Sequence, residues 1–267
     1  MHKLKTFIRY LADFLQYGQI RLVIASIIYI ATGKSFIETR IFRGKLGFFL
    51  HRKGSLDFQF GNYAYEWNVK KFVLKHLHQY DTFLDVGANI GTYTIMMTGH
   101  GLKSFAFEPV YSNHKALTIN ILLNNFEDKA TAFNFGLSDE STTANFAFDP
   151  LNTGASHIST VPAETPEAAQ RSIPIEIKLL RLDDVMGKMN LDPKSKVLMK
   201  VDVEGMECQV LKGAKNFIKT FPEIMLVMES IHSGEEKLKE ILNEMAIFEY
   251  HKIDDLNMCA IKKGELV

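Results

Sequence analysis

Residues 82–91, Thr-Phe-Leu-Asp-Val-Gly-Ala-Asn-Ile-Gly, constrain this chain more than any other stretch. An apolar run, Phe83-Leu84, reaches a carboxylate at Asp85, glycines follow at Gly87 and Gly91, and residues 92–97 read as the start of a helix. A buried strand that passes through a glycine turn into a helix commits the chain to an α/β sheet. It also aims unpaired N–H groups of the helix start at a ligand. A dinucleotide fingerprint needs glycines at the first, third and sixth positions of such a turn. Counted from Gly87, those positions hold Asn89 and Thr92, so that pattern fails. The pattern present, Asp-x-Gly-x-x-x-Gly, puts an acid at the strand end beside the glycines. That suits S-adenosylmethionine, which carries an α-ammonium, an α-carboxylate and a ribose. The plainer reading is an ordinary tight turn between strand and helix.

A second short strand, Ser-Phe-Ala-Phe at residues 104–107, ends in Glu108-Pro109, twenty-three residues after Asp85. That interval accommodates one helix and a return. An acid at the end of the second strand is where a ribose is held in nucleotide-binding α/β folds, and Pro109 stops the strand.

Four segments now stand in a recognisable order: Asp85-Val-Gly-Ala-Asn-Ile-Gly91, Phe107-Glu-Pro109, Asn134-Phe-Gly-Leu-Ser-Asp139 and Lys200-Val-Asp-Val-Glu-Gly-Met-Glu207. In order and spacing the chain resembles the FkbM-type methyltransferases, over about residues 63–230. The resemblance implies a class I, Rossmann-like fold with a mostly parallel seven-stranded sheet. It also implies S-adenosylmethionine as cofactor and, usually, a hydroxyl oxygen as acceptor, often in glycan or polyketide pathways. The positions expected to bind the cofactor are Glu66, Asp85, Gly87, Ala88, Asn89, Gly91, Glu108 and Pro109. Asn134, Gly136 and Ser138, after the third strand, are expected beside the adenine. Glu66 enters because Tyr65-Glu66 resembles a pair that precedes the first strand in this family; a solvated Glu early in a helix is the simpler alternative. Asp85 is expected at a strand end, outside the core.

The remaining pattern fills in that sheet. Residues 130–135 read as a third strand, and residues 145–149 and 173–180 alternate as strands. Residues 152–171, polar and carrying Pro162 and Pro166, read as a long loop, either a lid or simple disorder. Residues 196–203 form an apolar, fully buried parallel strand, which ends at Asp202-Val-Glu204-Gly205. Ligands in open α/β sheets bind beyond the carboxyl ends of the strands, so Asp202 and Glu204 are expected at the pocket floor. There one acid can take a hydroxyl proton, or the two can hold a divalent ion; the alternative is that Asp202 only positions the substrate or caps the next helix. His232, after the fifth strand at residues 223–229, is a second candidate base, with a surface histidine as the plainer reading. Residues 206–219 and 235–245 read as helices, and two antiparallel strands, 247–253 and 257–262, close the sheet. No zinc spacing, P-loop or nucleophile elbow is present, and no metal ligand is assigned. Competing readings are a nucleotide-binding oxidoreductase and a non-catalytic module that keeps the cofactor fold.

Residues 1–62 are expected as a basic extension ahead of a methyltransferase domain at 63–267. Two apolar segments, residues 3–17 at helical spacing and residues 22–31, are each too short to span a bilayer. Residues 38–60 alternate in pieces, as in one or two β-hairpins. The chain is neutral overall, yet residues 1–53 carry ten basic side chains against Asp13 and Glu38, a local +8. Two readings of residues 3–31 follow: a cover for the core or an oligomer contact, or a basic helix lying on an anionic membrane. Two cysteines suit a reducing cytosol, and no small-x-small cleavage site marks a leader. The expected setting is cytoplasmic or at the inner membrane face. The expected partners are a small-molecule or glycan acceptor, and no nucleic acid.

Overall fold

The computed structural model describes residues 2–158 and 165–266. Two helices open the chain, α1 (His2–Gln16) and α2 (Ile20–Thr32), joined through Gly18 in the left-handed region at φ 67°. A single hairpin follows, β1 (Arg40–Gly44) with β2 (Gly47–His51). Residues expected to continue it as strand instead form a helical turn, Asp57–Phe60. The buried Asp57 carboxylate accepts from the Arg52 backbone N–H at 3.0 Å and from its Nε at 2.7 Å, and this doubles the chain back. Helix α3 (Trp67–His76) begins only after Glu66, whose left-handed φ of 48° cannot extend it.

The main sheet comprises β3 (Thr82–Val86), β4 (Lys103–Phe107), β5 (Ala130–Phe133), β10 (Val197–Val201), β11 (Ile224–Glu229), β12 (Ile247–Lys252) and β13 (Asn257–Gly264). Its order is β12-β13-β11-β10-β3-β4-β5. Five strands run parallel, and β12 and β13 join antiparallel at one edge. This is the seven-stranded, mostly parallel sheet anticipated above. All of β3 and β10 is buried, as a strand covered on both faces requires. Helix α4 (Thr92–Gly99) follows β3, and α5 (Tyr111–Leu123) follows β4. A second, four-stranded sheet is inserted after β5: β6 (Gly136–Leu137), β7 (Thr142–Phe148), β8 (His157–Ile158) and β9 (Ile173–Leu180), in the order β6-β9-β7-β8. The third strand therefore stops at Phe133 rather than 135, because residues 136–137 leave the main sheet to pair with β9. The 152–171 loop holds a 3-10 turn, Thr153–Ala155, and a short helix, Pro166–Arg171; its residues 159–164, Pro162 among them, lie outside the described residues.

The amino-terminal segment is packed into the same structure. Phe14, Leu22, Phe42, Phe49, Phe58 and Phe60 share one apolar cluster with Ile90, Ile95 and Leu117 of the nucleotide fold. Asp13 pins α1 to it, accepting from the backbone N–H groups of Lys45 at 3.0 Å and Tyr63 at 2.9 Å. Cys208 and Cys259 are both buried free thiols; Cys208 lies in the helix Glu207–Gly213 and Cys259 in β13, level with Val227 of β11.

Candidate functional site

A cleft opens at the carboxyl ends of β3, β4 and β10, with one wall from the inserted sheet. The turn after β3 lines it. Gly87 holds φ 84°, and a Cβ there would sit 1.8 Å from the backbone oxygen of Asp202, so only glycine lets this turn approach β10. Gly91 also has φ 84°, but its added Cβ would strike Leu117 at 2.3 Å. It seats α4 against α5 rather than lining the cleft.

Asp85 is not outside the core: it is 2% exposed, at the cleft floor. Its Oδ2 accepts from the Thr94 backbone N–H at 2.9 Å and the Thr94 hydroxyl at 2.6 Å, which ties β3 to the first turn of α4. Burial raises its carboxyl to about 6, against the pull of Lys200 and the Thr94 hydrogen bonds. Glu108, 4% exposed, accepts at Oε2 from Asn89 N–H (2.8 Å) and at Oε1 from Val110 N–H (2.9 Å). Burial lifts it to about 7, while these backbone donors oppose the shift. Each oxygen keeps capacity for a second donor.

Asn134 is exposed, and its Nδ2 donates to the carbonyls of Glu108 and Pro109 at 3.0 and 3.1 Å, bracing the turn from behind. Ser138 is buried outside the cleft, with its hydroxyl 3.1 Å from Asp139 Oδ1. Of the three residues expected beside adenine, only Gly136 lines the cleft. The flat apolar wall there comes instead from Leu137, Phe146, Ile177 and Leu179. Ala88, Asn89 and Pro109 do line it, and Thr153 closes over Asn89, donating to its Oδ1 at 2.9 Å.

The opposite end of the cleft is dense with charge. Lys200, buried in β10 directly across from Asp85 of β3, pairs with Asp202 and lies 3.8 Å from Glu66. Burial works against its ammonium, but Asp202, Glu66 and Asp85 outweigh burial and hold it well above the usual lysine range. Glu66 faces the cleft, and its buried Oε2 has no hydrogen-bond partner. Glu204, at φ 51°, stands in a loop clamped by the buried Glu207, which accepts from Val203 N–H (3.2 Å) and Gly205 N–H (3.1 Å). His232 is exposed and does not line the cleft itself, but its Nε2 lies 3.6 Å from Oε2 of Glu204, which does. Glu229, which the sequence reading left without a role, joins them: one ligand atom each of Glu204, Glu229 and His232 lies within 4.8 Å of the others. Burial, then Asp202 and Glu207, push Glu229 up to about 8.

These residues fit S-adenosylmethionine. Glu108 offers lone pairs where a ribose hydroxyl pair would bind, and the apolar wall suits a planar base. The carboxylates of Glu66 and Asp202 outnumber Lys200, leaving a negative floor for an ammonium and a sulfonium. Sheet order and cleft together define a class I S-adenosylmethionine-dependent methyltransferase fold. Residues 85–254 match the methyltransferase FkbM domain, and the chain belongs to that family. It is 30% identical over 174 residues to the hexuronic acid methyltransferase AglP of Haloferax volcanii, covering 63% of each chain. It is 31% identical over 154 residues to the methyltransferase sdnD of Sordaria araneosa, covering 49% of this chain and 59% of that one. It is 32% identical over 148 residues to methyltransferase 1 of Beauveria bassiana, covering 50% and 58%. The chain thus spans less than two thirds of the length of each of these relatives.

Proposed function

We propose that this chain transfers the methyl group of S-adenosylmethionine to a hydroxyl oxygen, with a glycan as the acceptor class. The observation that carries the reading is a single cleft with two chemically distinct ends, Glu108 at one and Glu204, which His232 approaches to 3.6 Å from outside the lining, at the other. The relation to a hexuronic acid methyltransferase supports the acceptor class. When bound, the cofactor supplies an electrophilic methyl on a sulfonium. Glu108 orients the ribose; Glu66 and Asp202, held apart by Lys200, orient the amino-acid end. Asp202 is already neutralised by Lys200, which weakens it as a proton acceptor. His232 takes the hydroxyl proton, and Glu204 stabilises the resulting imidazolium.

His232→Ala should lower turnover by about 10²–10⁴-fold, the range for losing general-base help. Asp202→Asn should instead weaken cofactor binding. If turnover survives in His232→Ala and collapses in Asp202→Asn at saturating cofactor, the base is Asp202. A second reading rests on the proximity of Glu204, Glu229 and His232, which could hold a divalent ion that acidifies the hydroxyl. Chelator separates the two: unchanged turnover in EDTA supports the base, and loss restored by Mg²⁺ supports the ion. Incubation with uronate-bearing oligosaccharides, read by mass spectrometry as a gain of one methylene, tests the acceptor class.

A further inference from the structure

The amino-terminal helices bury one face and leave the other bare. In α2, Leu22, Ala25 and Ser26 face the protein, while Ile20, Ile24, Ile27 and Ile28 are exposed at the i, i+4, i+7 and i+8 positions of the opposite face. On α1, Ile8 and Leu15, seven residues apart, are more than half exposed, and Phe36 beyond α2 is 66% exposed. Scattered apolar residues on a surface are ordinary; a stripe of this kind marks a contact surface. No helix of the described residues is long and apolar enough to cross a membrane.

Charge indicates what meets the stripe. Among the described residues, of the basic side chains from Lys5 to Lys53, only Arg52 and Lys53 have an ion-pair partner. Lys5, Arg9, Arg21, Lys34, Arg40, Arg43 and Lys45 remain unneutralised by any carboxylate, and a shallow groove beside α2 joins Arg21 and Arg40 to Phe36 and Ile41. Three of the others lie over aromatic rings instead, Arg9 at 4.9 Å from Trp67, Arg43 at 5.4 Å from both Tyr17 and Phe48, and Lys45 at 4.0 Å from Tyr63. Isoleucines interleaved with unpaired cations complement an anionic lipid surface. A second copy of the chain would bring the same cations against one another.

We infer that the exposed face of α1 and α2 lies on an anionic membrane, apolar side chains in the acyl boundary and basic ones among the headgroups. The same helices back onto the cleft. Tyr10 of α1 accepts from Asn62 Nδ2 at 3.1 Å, and Phe60, two residues earlier, lines the cleft and packs edge-on against Tyr65.

The test is flotation of the full chain with phosphatidylcholine vesicles, with and without phosphatidylglycerol. Binding is expected only with phosphatidylglycerol and should fall as salt screens the charges. Arg21→Ala with Lys34→Ala should weaken binding about thirtyfold, since each cation near such a surface contributes about fivefold. Ile24→Asp with Ile27→Asp should abolish flotation while the circular dichroism and unfolding midpoint stay unchanged. Absence of binding at low salt overturns the inference. So does an Ile24→Asp, Ile27→Asp protein that still floats. Light scattering that shows a dimer, made monomeric by the isoleucine changes without loss of flotation, would assign the face to a second copy instead. None of these measurements reads methyl transfer, so failure here leaves the proposed reaction untouched.

Discussion

The two ends of the cleft are built on different terms. At the β3–β4 end, both carboxylates are answered by nearby chain: Asp85 by Thr94, and Glu108 by the N–H groups of Asn89 and Val110. At the β10–β11 end, acids gather around Lys200, with the buried Lys70 near Glu66, and buried oxygens of Glu66 and Glu229 make no close hydrogen bond. Glu66 Oε2 instead faces the Lys200 ammonium at 3.8 Å, so this end is organised by charge rather than by close hydrogen bonds. The first end is finished by its own hydrogen bonds; the second is held by ion pairing.

Lys200 is where the two ends meet, and removing it is the harshest way to break the comparison. Lys200→Met leaves Asp202, Glu66 and Asp85 uncompensated. It should lower the unfolding free energy by about 3–5 kcal/mol, the usual result of deleting one partner of a buried ion pair. Urea denaturation followed by the fluorescence of Trp67, the one tryptophan, would read it. Gly87→Ala strikes the same seam through the backbone. The left-handed φ and the clash with the Asp202 carbonyl should together cost about 3 kcal/mol, visible in the same titration.

Glu108→Ala touches the finished end alone. Cofactor affinity in calorimetry should weaken by about 1–3 kcal/mol, with the Glu204–His232 end unchanged. Acidity probes the same end. Asp85 and Glu108 titrate near 6 and 7 in the folded chain, above their ordinary values of 3.8 and 4.5, so the folded state binds protons more tightly. Their contribution to stability is complete below about pH 4 and is lost as pH rises through about 6 and then about 7. The protein without cofactor should therefore gain about 2 kcal/mol from Glu108 between about pH 7.5 and about pH 5.5, and Glu108→Gln should flatten that part of the curve. The smallest effect sharpens the contrast: His232→Ala should leave the dissociation constant for S-adenosylmethionine within about threefold, since the histidine stands outside the finished end.

The same division governs what could be read from the amino acids. The β3–β4 end is local in sequence: Asp85, Gly87, Asn89 and Glu108 fall inside two motifs, and a strand–turn–helix pattern carries its own geometry. The sheet followed from that pattern and from the run of buried strands. Lys200 opens the quoted segment 200–207, yet nothing local gives it a role: it sits within Val197–Val201, a strand whose apolar neighbours mask it, and its partners Glu66 and Asp85 lie more than a hundred residues away. A lysine inside an otherwise apolar parallel strand was the available signal. Asn134 and Ser138 were placed beside adenine on the expectation of a longer third strand; the early departure of Gly136 and Leu137 into the second sheet turned their side chains elsewhere. Thr153 was hidden in a segment whose composition resembles a loop, and only its hydrogen bond to Asn89 gives it a place.

The two free thiols offer a way to watch this molecule open. Cys208 sits directly behind the loop that carries Glu204, whereas Cys259 lies inside the main sheet beside β11. A thiol reagent added to the native protein reaches each only when its surroundings part, so the two modification rates are separate clocks. Equal rates would mean that the Glu204 loop loosens only when the sheet does. A faster Cys208, slowed by bound cofactor, would time the breathing of the loop by itself, without any acceptor in hand.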